Sequence, residues 1–288
     1  MSLLRVENLT YTYNPNTPFC KDAIVDVSFT AEKGEIIGII GHTGSGKSTL
    51  VQHLNGLLKA TDGKIFYNER DIWENPKEIR NIRSKIGLVF QYPEYQLFDE
   101  TVYKDIAFGP KNMGLSENEI DKAVRESAIS VEIPADYLEK SPFDLSGGEK
   151  RRVAIAGVLA MKPEIIVFDE PTAGLDPQGR ATVMDIIKKY RDKNNATVFV
   201  VSHSMEDMAM LADKILVLNK GSVVMFDTPK DVFSKREELK KIGLDVPQIT
   251  KIIHGLIEKG IDLPRDIITV DEAAAAILNL RKGGGLSD

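Results

Sequence analysis

Gly41-His42-Thr43-Gly44-Ser45-Gly46-Lys47-Ser48-Thr49 sits between a short apolar run, Glu35-Ile36-Ile37-Gly38-Ile39-Ile40, and the helix-compatible Leu50-Val51-Gln52-His53-Leu54. The order is strand, glycine turn, helix. The spacing G-x-x-x-x-G-K-[ST] is met in full by Gly41, Gly46, Lys47 and Ser48. Glycines let the backbone bend until successive N–H groups point inward at phosphate oxygens, and the following helix adds its positive dipole end. Lys47 is spaced to reach the β- and γ-phosphates, and the Ser48 hydroxyl to ligate Mg²⁺. His42, Thr43, Gly44, Ser45 and Thr49 complete the nucleotide cradle. The stretch therefore implies a bound nucleoside triphosphate.

Composition narrows the setting. The chain has 288 residues, 42% of them hydrophobic, enough for one large core and a smaller appended unit. With 43 Asp+Glu against 37 Lys+Arg, the net charge is −6, which speaks against nucleic acid as the main partner. Cys20 is the single cysteine, so no intrachain disulfide can form. The N-terminal residues carry a charge within their first apolar stretch and do not read as a signal peptide. No apolar run approaches the roughly 18–20 residues of a membrane span, so work at a membrane would need another subunit.

Working outward from the loop, residues 3–13 and 24–30 alternate as strands, with a turn-rich insert at 14–18. A helix is expected over 50–58, a strand over 64–67, a short helix over 76–84 and a strand over 86–90. From 99 to about 133 the pattern is helical, with a capping box at Ser116–Glu119. Leu145-Ser146-Gly147-Gly148-Glu149 opens a helix reaching about Met161. Ile165–Phe168 is wholly apolar and ends in Asp169-Glu170, the mark of a buried parallel strand. Asp176-Pro177 starts a helix ending near Asn194-Asn195. A second buried strand, 197–201, runs into Ser202-His203. A helix over 205–212 and strands at 215–218 and 222–227 follow, the last two joined by the turn Lys220-Gly221. In the last sixty residues Ile249, Ile252, Ile253, Leu256 and Ile257 form an amphipathic stripe. It suits packing on its own chain or pairing with another subunit. Thr269–Glu272 is a second capping box, and Gly283-Gly284-Gly285 reads as a flexible tail.

Alternating strands and helices predict an α/β fold with a largely parallel sheet, whose ligands gather at the C-terminal strand edge. The phosphate loop, Gln91, Asp169-Glu170 and His203 each follow an apolar strand directly. Asp169 suits a water-mediated hold on Mg²⁺ opposite Ser48, and Glu170 is placed to orient and deprotonate the attacking water. His203 suits a hydrogen bond to a γ-phosphate oxygen, and Gln91 a place in the metal shell. Taken singly, a histidine such as His203 is more often structural, and Gln91 is as ambiguous.

These residues, in this order, closely resemble the ABC ATPases. Gly41–Ser48, Gln91, Leu145–Glu149, Ile166–Thr172, Gly174-Leu175-Asp176 and His203 are similar to that family's Walker A, Q-loop, signature, Walker B, D-loop and switch-histidine motifs. The resemblance covers about residues 3–230. It implies a phosphate-loop NTPase core with an antiparallel β subdomain and a helical subdomain at about 95–160. The cassette would occupy 1–229, and a C-terminal helical extension 230–288. It implies that Tyr13 stacks on adenine, with Tyr11 a competing choice. It also implies that Ser146, Gly147, Gly148 and Glu149 cap the γ-phosphate of ATP held by a second subunit, with Asp176 at the seam. Glu149 stands where the family most often has Gln.

The finer resemblance is to energy-coupling-factor transporter ATPases, carried by Gly87–Phe98, Asp105–Pro110 and Lys150–Gly157. The insert Tyr13–Phe19 and Tyr92-Pro93-Glu94 are similar to the second, A-prime, member of an unequal ATPase pair. That resemblance implies ATP and Mg²⁺ as cofactors and a peripheral position on the cytoplasmic face of the cell membrane. Its partners would be a second ATPase, a membrane coupling subunit and a substrate-binding membrane subunit. The segment after Gln91 would then receive the coupling subunit. A homodimeric metal importer ATPase and a soluble ribosome- or nucleic-acid-acting ABC protein are the competing readings.

Overall fold

The computed structural model describes residues 2–282; the glycine run at 283–285 lies outside them. Strands β1 (Ser2–Tyr13) and β2 (Lys21–Glu32) form a hairpin around the turn-rich insert, and β3 (Ile36–Ile40) runs into the phosphate loop. Helix α1 (Lys47–Leu54) follows, then β4 (Asp62–Tyr67), β5 (Arg70–Asp71), α2 (Ile79–Lys85) and β6 (Ile86–Val89). The helical stretch is α3 (Val102–Asn112), α4 (Glu117–Ser130) and α5 (Gly147–Leu159). Then come β7 (Ile165–Asp169), α6 (Pro177–Asn194), β8 (Thr197–Val201), α7 (Met205–Leu211), β9 (Lys214–Asn219) and β10 (Ser222–Asp227). The chain closes with α8 (Pro229–Ser234), α9 (Arg236–Lys241), α10 (Gln248–Glu258) and α11 (Val270–Lys282).

Two sheets divide the strands. One is four-stranded and antiparallel, in the order β2-β1-β4-β5; the other is six-stranded, β10-β9-β3-β8-β7-β6, parallel except for β10. The six-stranded sheet has a core on each face, and its strands show why they must be apolar throughout. Ile36, Ile166, Phe168, Val198, Val200, Ile215 and Val217 face a core built with the helices. Their neighbours Ile37, Ile39, Ile165, Val167, Phe199, Val201, Leu216 and Leu218 face a core shared with the antiparallel sheet. A period of two thus supplies both layers from one strand.

Local signals explain most boundaries. Ser116 and Glu119 cap α4 reciprocally, and Asp176 Oδ1 accepts from Gly179 N–H at 2.7 Å to start α6. The predicted helix at 50–58 instead begins at Lys47 and stops at Leu54, because Gly56, at φ +71°, turns the chain. The helical stretch is split by Gly114, at φ +75°, into α3 and α4. In the C-terminal stripe Ile253 is buried, and Ile249, Leu256 and Ile257 pack around it with Leu263, Ile267 and Ala273, while Ile252 remains exposed. The stripe therefore packs on its own chain. Thr269 and Glu272 form the second capping box through bonds of 3.2 and 3.3 Å. No described helix is long and apolar enough to cross a membrane.

Candidate active site

Strand register brings the site together. Ile39 pairs with Val201, Asp169 with Val201, and Phe168 with Val89. The strand ends are therefore level, and the residues just beyond them meet at one edge. Thr43, Gly44, Gly46, Lys47, Ser48, Thr49, Gln91, Glu170, His203 and Tyr13 line one cleft of about 410 Å³. The cleft is within the size range of small-molecule sites.

Glu170 is one of the lining residues. Its N–H extends the ladder by one bond to Val201 O at 3.0 Å, after which the chain turns with Glu170 at φ +51°. That left-handed backbone is costly for a residue with a side chain and is held by surrounding bonds. The carboxylate is clasped from both sides: Gln91 Nε2 donates to Oε2 at 3.2 Å, and His203 Nε2 lies 2.8 Å from Oε1. Beside it, burial pushes the Asp169 carboxyl above its usual range, and Glu170 adds to the rise. The Ser48 hydrogen bond and the charges of Lys47 and His203 oppose it. Lys47 Nζ donates to Gly41 O at 2.6 Å and to His42 O at 3.1 Å. Burial lowers its pKa, against the attraction of Glu170 and Asp169.

The loop starts α1 from Gly46, at φ +105°, a conformation open to glycine. The N–H groups of Lys47, Ser48 and Thr49 belong to the first turn and have no intrahelical partner. Gly41, His42 and Ser45 lie behind the lining. Ser45 is fully buried and donates its N–H to His42 O at 3.1 Å, while His42 turns its ring toward Thr43 O and Asn219. The tyrosines separate clearly. Tyr13 lines the cleft with its hydroxyl 3.3 Å from Thr49 Oγ1, whereas Tyr11 packs edge-on against Tyr13 and His53.

Ser146, Gly147, Gly148 and Asp176 are not among the lining residues. Ser146 N and Oγ both donate to Glu149 Oε2, at 2.8 and 2.6 Å, closing a capping box at the start of α5. These bonds from Ser146 hold the Glu149 carboxyl below its usual range.

Sequence reasoning missed Lys21 and Ala23, which also line the cleft. Lys21 is the register partner of Tyr13, so a tighter hairpin reading could have found it. It also missed Arg151, which is fully buried. Arg151 donates from Nε and Nη2 to the Glu94 carboxylate at 3.0 and 2.7 Å, and from Nη1 to Pro171 O and Ala173 O at 3.2 and 2.6 Å.

The donors fit magnesium chemically. The Ser48 hydroxyl and the neighbouring Asp169 carboxyl offer hard oxygen donors, the kind Mg²⁺ takes as one or two carboxylates plus substrate phosphates.

A phosphate loop, a level carboxylate pair and a histidine at one parallel-sheet edge define a nucleoside-triphosphate-hydrolysing cassette. A family model described as ABC transporter matches residues 24–173. The chain belongs to the ABC transporter ATPases, and within them to the energy-coupling factor transporter ATP-binding proteins. It is 52% identical to the "Energy-coupling factor transporter ATP-binding protein EcfA2" of Caldanaerobacter subterraneus, over 97% of this chain and 98% of that protein. It is also 52% identical to the EcfA2 of Clostridioides difficile, over 99% and 100%. Among solved structures, cbiO1 of Clostridium perfringens, described as part of the ABC transporter complex cbiONQ, superposes with TM-score 0.75 at 37% identity. That match covers 88% of this chain and 99% of cbiO1. The ATP-binding cassette MJ0796, solved as a post-hydrolysis dimer bound to ADP and Pi, superposes with TM-score 0.71 at 29% identity, covering 78% and 98%.

Proposed function

We propose that this chain is the ATP-hydrolysing subunit of an energy-coupling-factor importer, driving uptake of vitamins or other micronutrients through partner membrane subunits. The observation that carries the reading is Glu170, clasped by Gln91 and His203 in a cleft lined by the phosphate loop. In this reading Glu170 accepts the proton of the attacking water, and its clasp fixes which carboxylate oxygen faces that water. Lys47 and the α1 N-terminus hold the phosphates, His203 steadies the γ-phosphate, and Tyr13 carries the adenine. Ser48, Asp169 and Gln91 would hold Mg²⁺, which neutralises phosphate charge when bound.

The signature supports pairing of two cassettes. Ser146-Gly147-Gly148 stands apart from the cleft lining, and a Cβ built on Gly147 would meet nothing within 4 Å. An open helix start of this kind suits the γ-phosphate of ATP on a second ATPase subunit, with Asp176 at the seam. Chain division at 229/230 follows the same reading, with cassette before and helical extension after.

Work would leave through a second, larger groove of about 760 Å³. Its walls include Phe90, Leu97 and Phe98 from the segment around Gln91, and Phe108 and Val153 from α3 and α5. That is the surface on which a membrane coupling subunit would sit, placing this chain on the cytoplasmic face of the membrane. Likeness to cbiO1, described as part of a cbiONQ complex, keeps a homodimeric metal importer as the second reading.

Co-expression with candidate coupling and substrate-binding membrane subunits tests the proposal. A detergent-stable, ATP-hydrolysing complex is expected, and native mass separates an unequal ATPase pair from a homodimer. A chain that purifies free of every such subunit would refute the importer reading.

A further inference from the structure

The two walls of the nucleotide cleft come from different sheets. The phosphate loop follows β3 of the six-stranded sheet, whereas Tyr13 and Lys21 lie on β1 and β2 of the four-stranded one. One residue bonds to both. Gly221, in the turn between β9 and β10, donates its N–H to Ser45 O in the phosphate loop at 3.0 Å. Its own carbonyl accepts from Val25 N–H on β2 at 2.9 Å. At the other end of the turn, Asn219 Oδ1 lies 3.2 Å from His42 Nε2, and His42 Nδ1 lies 2.7 Å from Thr43 O.

We propose that Asn219 and Gly221 are positioning residues that register the phosphate loop against the Tyr13–Lys21 wall. Through them the β9–β10 turn sets how closely the cleft matches ATP. The inference rests on the ATP reading of the cleft.

The chemistry of each contact supports it. A backbone carbonyl only accepts, so His42 Nδ1 carries the proton on the Thr43 side. Nε2 is then left to pair with the Asn219 side-chain amide, which carries both a donor and an acceptor. The ring is thereby held between its own loop and β9, and the loop cannot swing toward the cleft without breaking that contact. Gly221 has φ +84°, and a Cβ there would come within 2.9 Å of Ala23 O. A Cβ on Gly46 would meet the same carbonyl at 2.5 Å. Ala23, itself a cleft residue, is therefore wedged between the phosphate-loop glycine and the turn glycine. Only residues without a side chain allow that approach. Both walls are fixed against one peptide group.

The test is ATP affinity of the full chain, by isothermal titration calorimetry with Mg²⁺ present, on His42→Ala, Asn219→Ala and the double variant. Loss of one neutral hydrogen bond predicts about five- to tenfold weaker binding in each single variant. Because Asn219 acts through His42, the double variant is expected to bind no more weakly than His42→Ala alone. A general loss of structure would instead give additive losses. Gly221→Ala should weaken ATP by about tenfold or more, since it disturbs both walls. If that variant does not fold, the His42–Asn219 cycle decides the question. Wild-type protein that fails to bind ATP would overturn the ATP reading and this inference together. Wild-type protein that binds, with Asn219→Ala within about twofold or with additive losses in the cycle, overturns the inference alone.

Discussion

Arg151→Met is the perturbation with the largest expected effect away from the cleft lining. Arg151 is 2% exposed in its side chain and Glu94 15%, so their ion pair is nearly dry. The guanidinium donates four hydrogen bonds, two to the Glu94 carboxylate and one each to the carbonyls of Pro171 and Ala173. Removing the cation leaves a largely buried carboxylate, 15% exposed, and two carbonyls without it. Breaking one partner of such a pair costs about 3–5 kcal/mol, which lowers the thermal midpoint by roughly 6 °C or more. The effect should reach catalysis, because Glu94 follows Gln91 by three residues and Pro171 follows Glu170 directly. The Gln91 arm of the clasp and the backbone that follows Glu170 would slacken, and loss of placement predicts about 10–100-fold slower ATP turnover.

Burial raises the Glu94 carboxyl, but the hydrogen bond from Arg151, a backbone hydrogen bond and the Arg151 charge together outweigh it, so it titrates below its usual value. A depressed carboxylate contributes stability above its unfolded pKa and loses it as pH falls through the folded value. The wild type should therefore lose this increment on the acid side of pH 4.5, and Arg151→Met should show a flatter acid limb. Urea titration at pH 7 and at pH 4 measures both. Arg151→Met paired with Glu94→Leu should recover most of the lost stability, since an apolar pair carries no desolvation penalty. A loss below about 1 kcal/mol for Arg151→Met, the value of an exposed pair, would refute the buried-pair reasoning.

Glu170→Gln should retain ATP binding and slow hydrolysis by at least about 100-fold, the scale of a lost general base, in a phosphate-release assay. Normal turnover would exclude Glu170 from that role. Lys47→Ala should weaken ATP binding by about 10–100-fold, because charge-assisted bonds to phosphate contribute about 1.5–3 kcal/mol; equilibrium binding reads this directly. Tyr13→Ala should weaken ATP by about fivefold or more through lost ring stacking. Tyr11→Ala, behind it, should lower the thermal midpoint with a smaller change in affinity.

Much of this protein is legible in its sequence because local chemistry sets it. The G-x-x-x-x-G-K-[ST] spacing needs only a strand before it and a helix after it, and both are present at β3 and α1. The caps at Ser116, Asp176 and Thr269 act within four residues and can be read without any fold. The apolar strands β7 and β8 announce a sheet buried on both faces, and their terminal Asp169-Glu170 and His203 announce its edge. The limits of local reading show at the same places. The helix after the phosphate loop ends earlier than its apolar pattern, because the left-handed turn at Gly56 intervenes.

The tertiary structure decided the relations between distant segments. Register across β3, β8, β7 and β6 decided that Gln91 and His203 grip the same carboxylate, since no spacing along the chain encodes which strands lie side by side. Pairing of β1 with β2 brought Lys21 opposite Tyr13, and packing behind Tyr13 settled which tyrosine faces the cleft. In the sequence Arg151 is one of three consecutive basic residues, Lys150-Arg151-Arg152. Only its burial against Glu94, Pro171 and Ala173 gave it a partner for its charge. The opening glycine loop is determined by sequence because its anion-binding groups are its own backbone. The site around it exists only once the sheet has placed four separate strand ends level with one another.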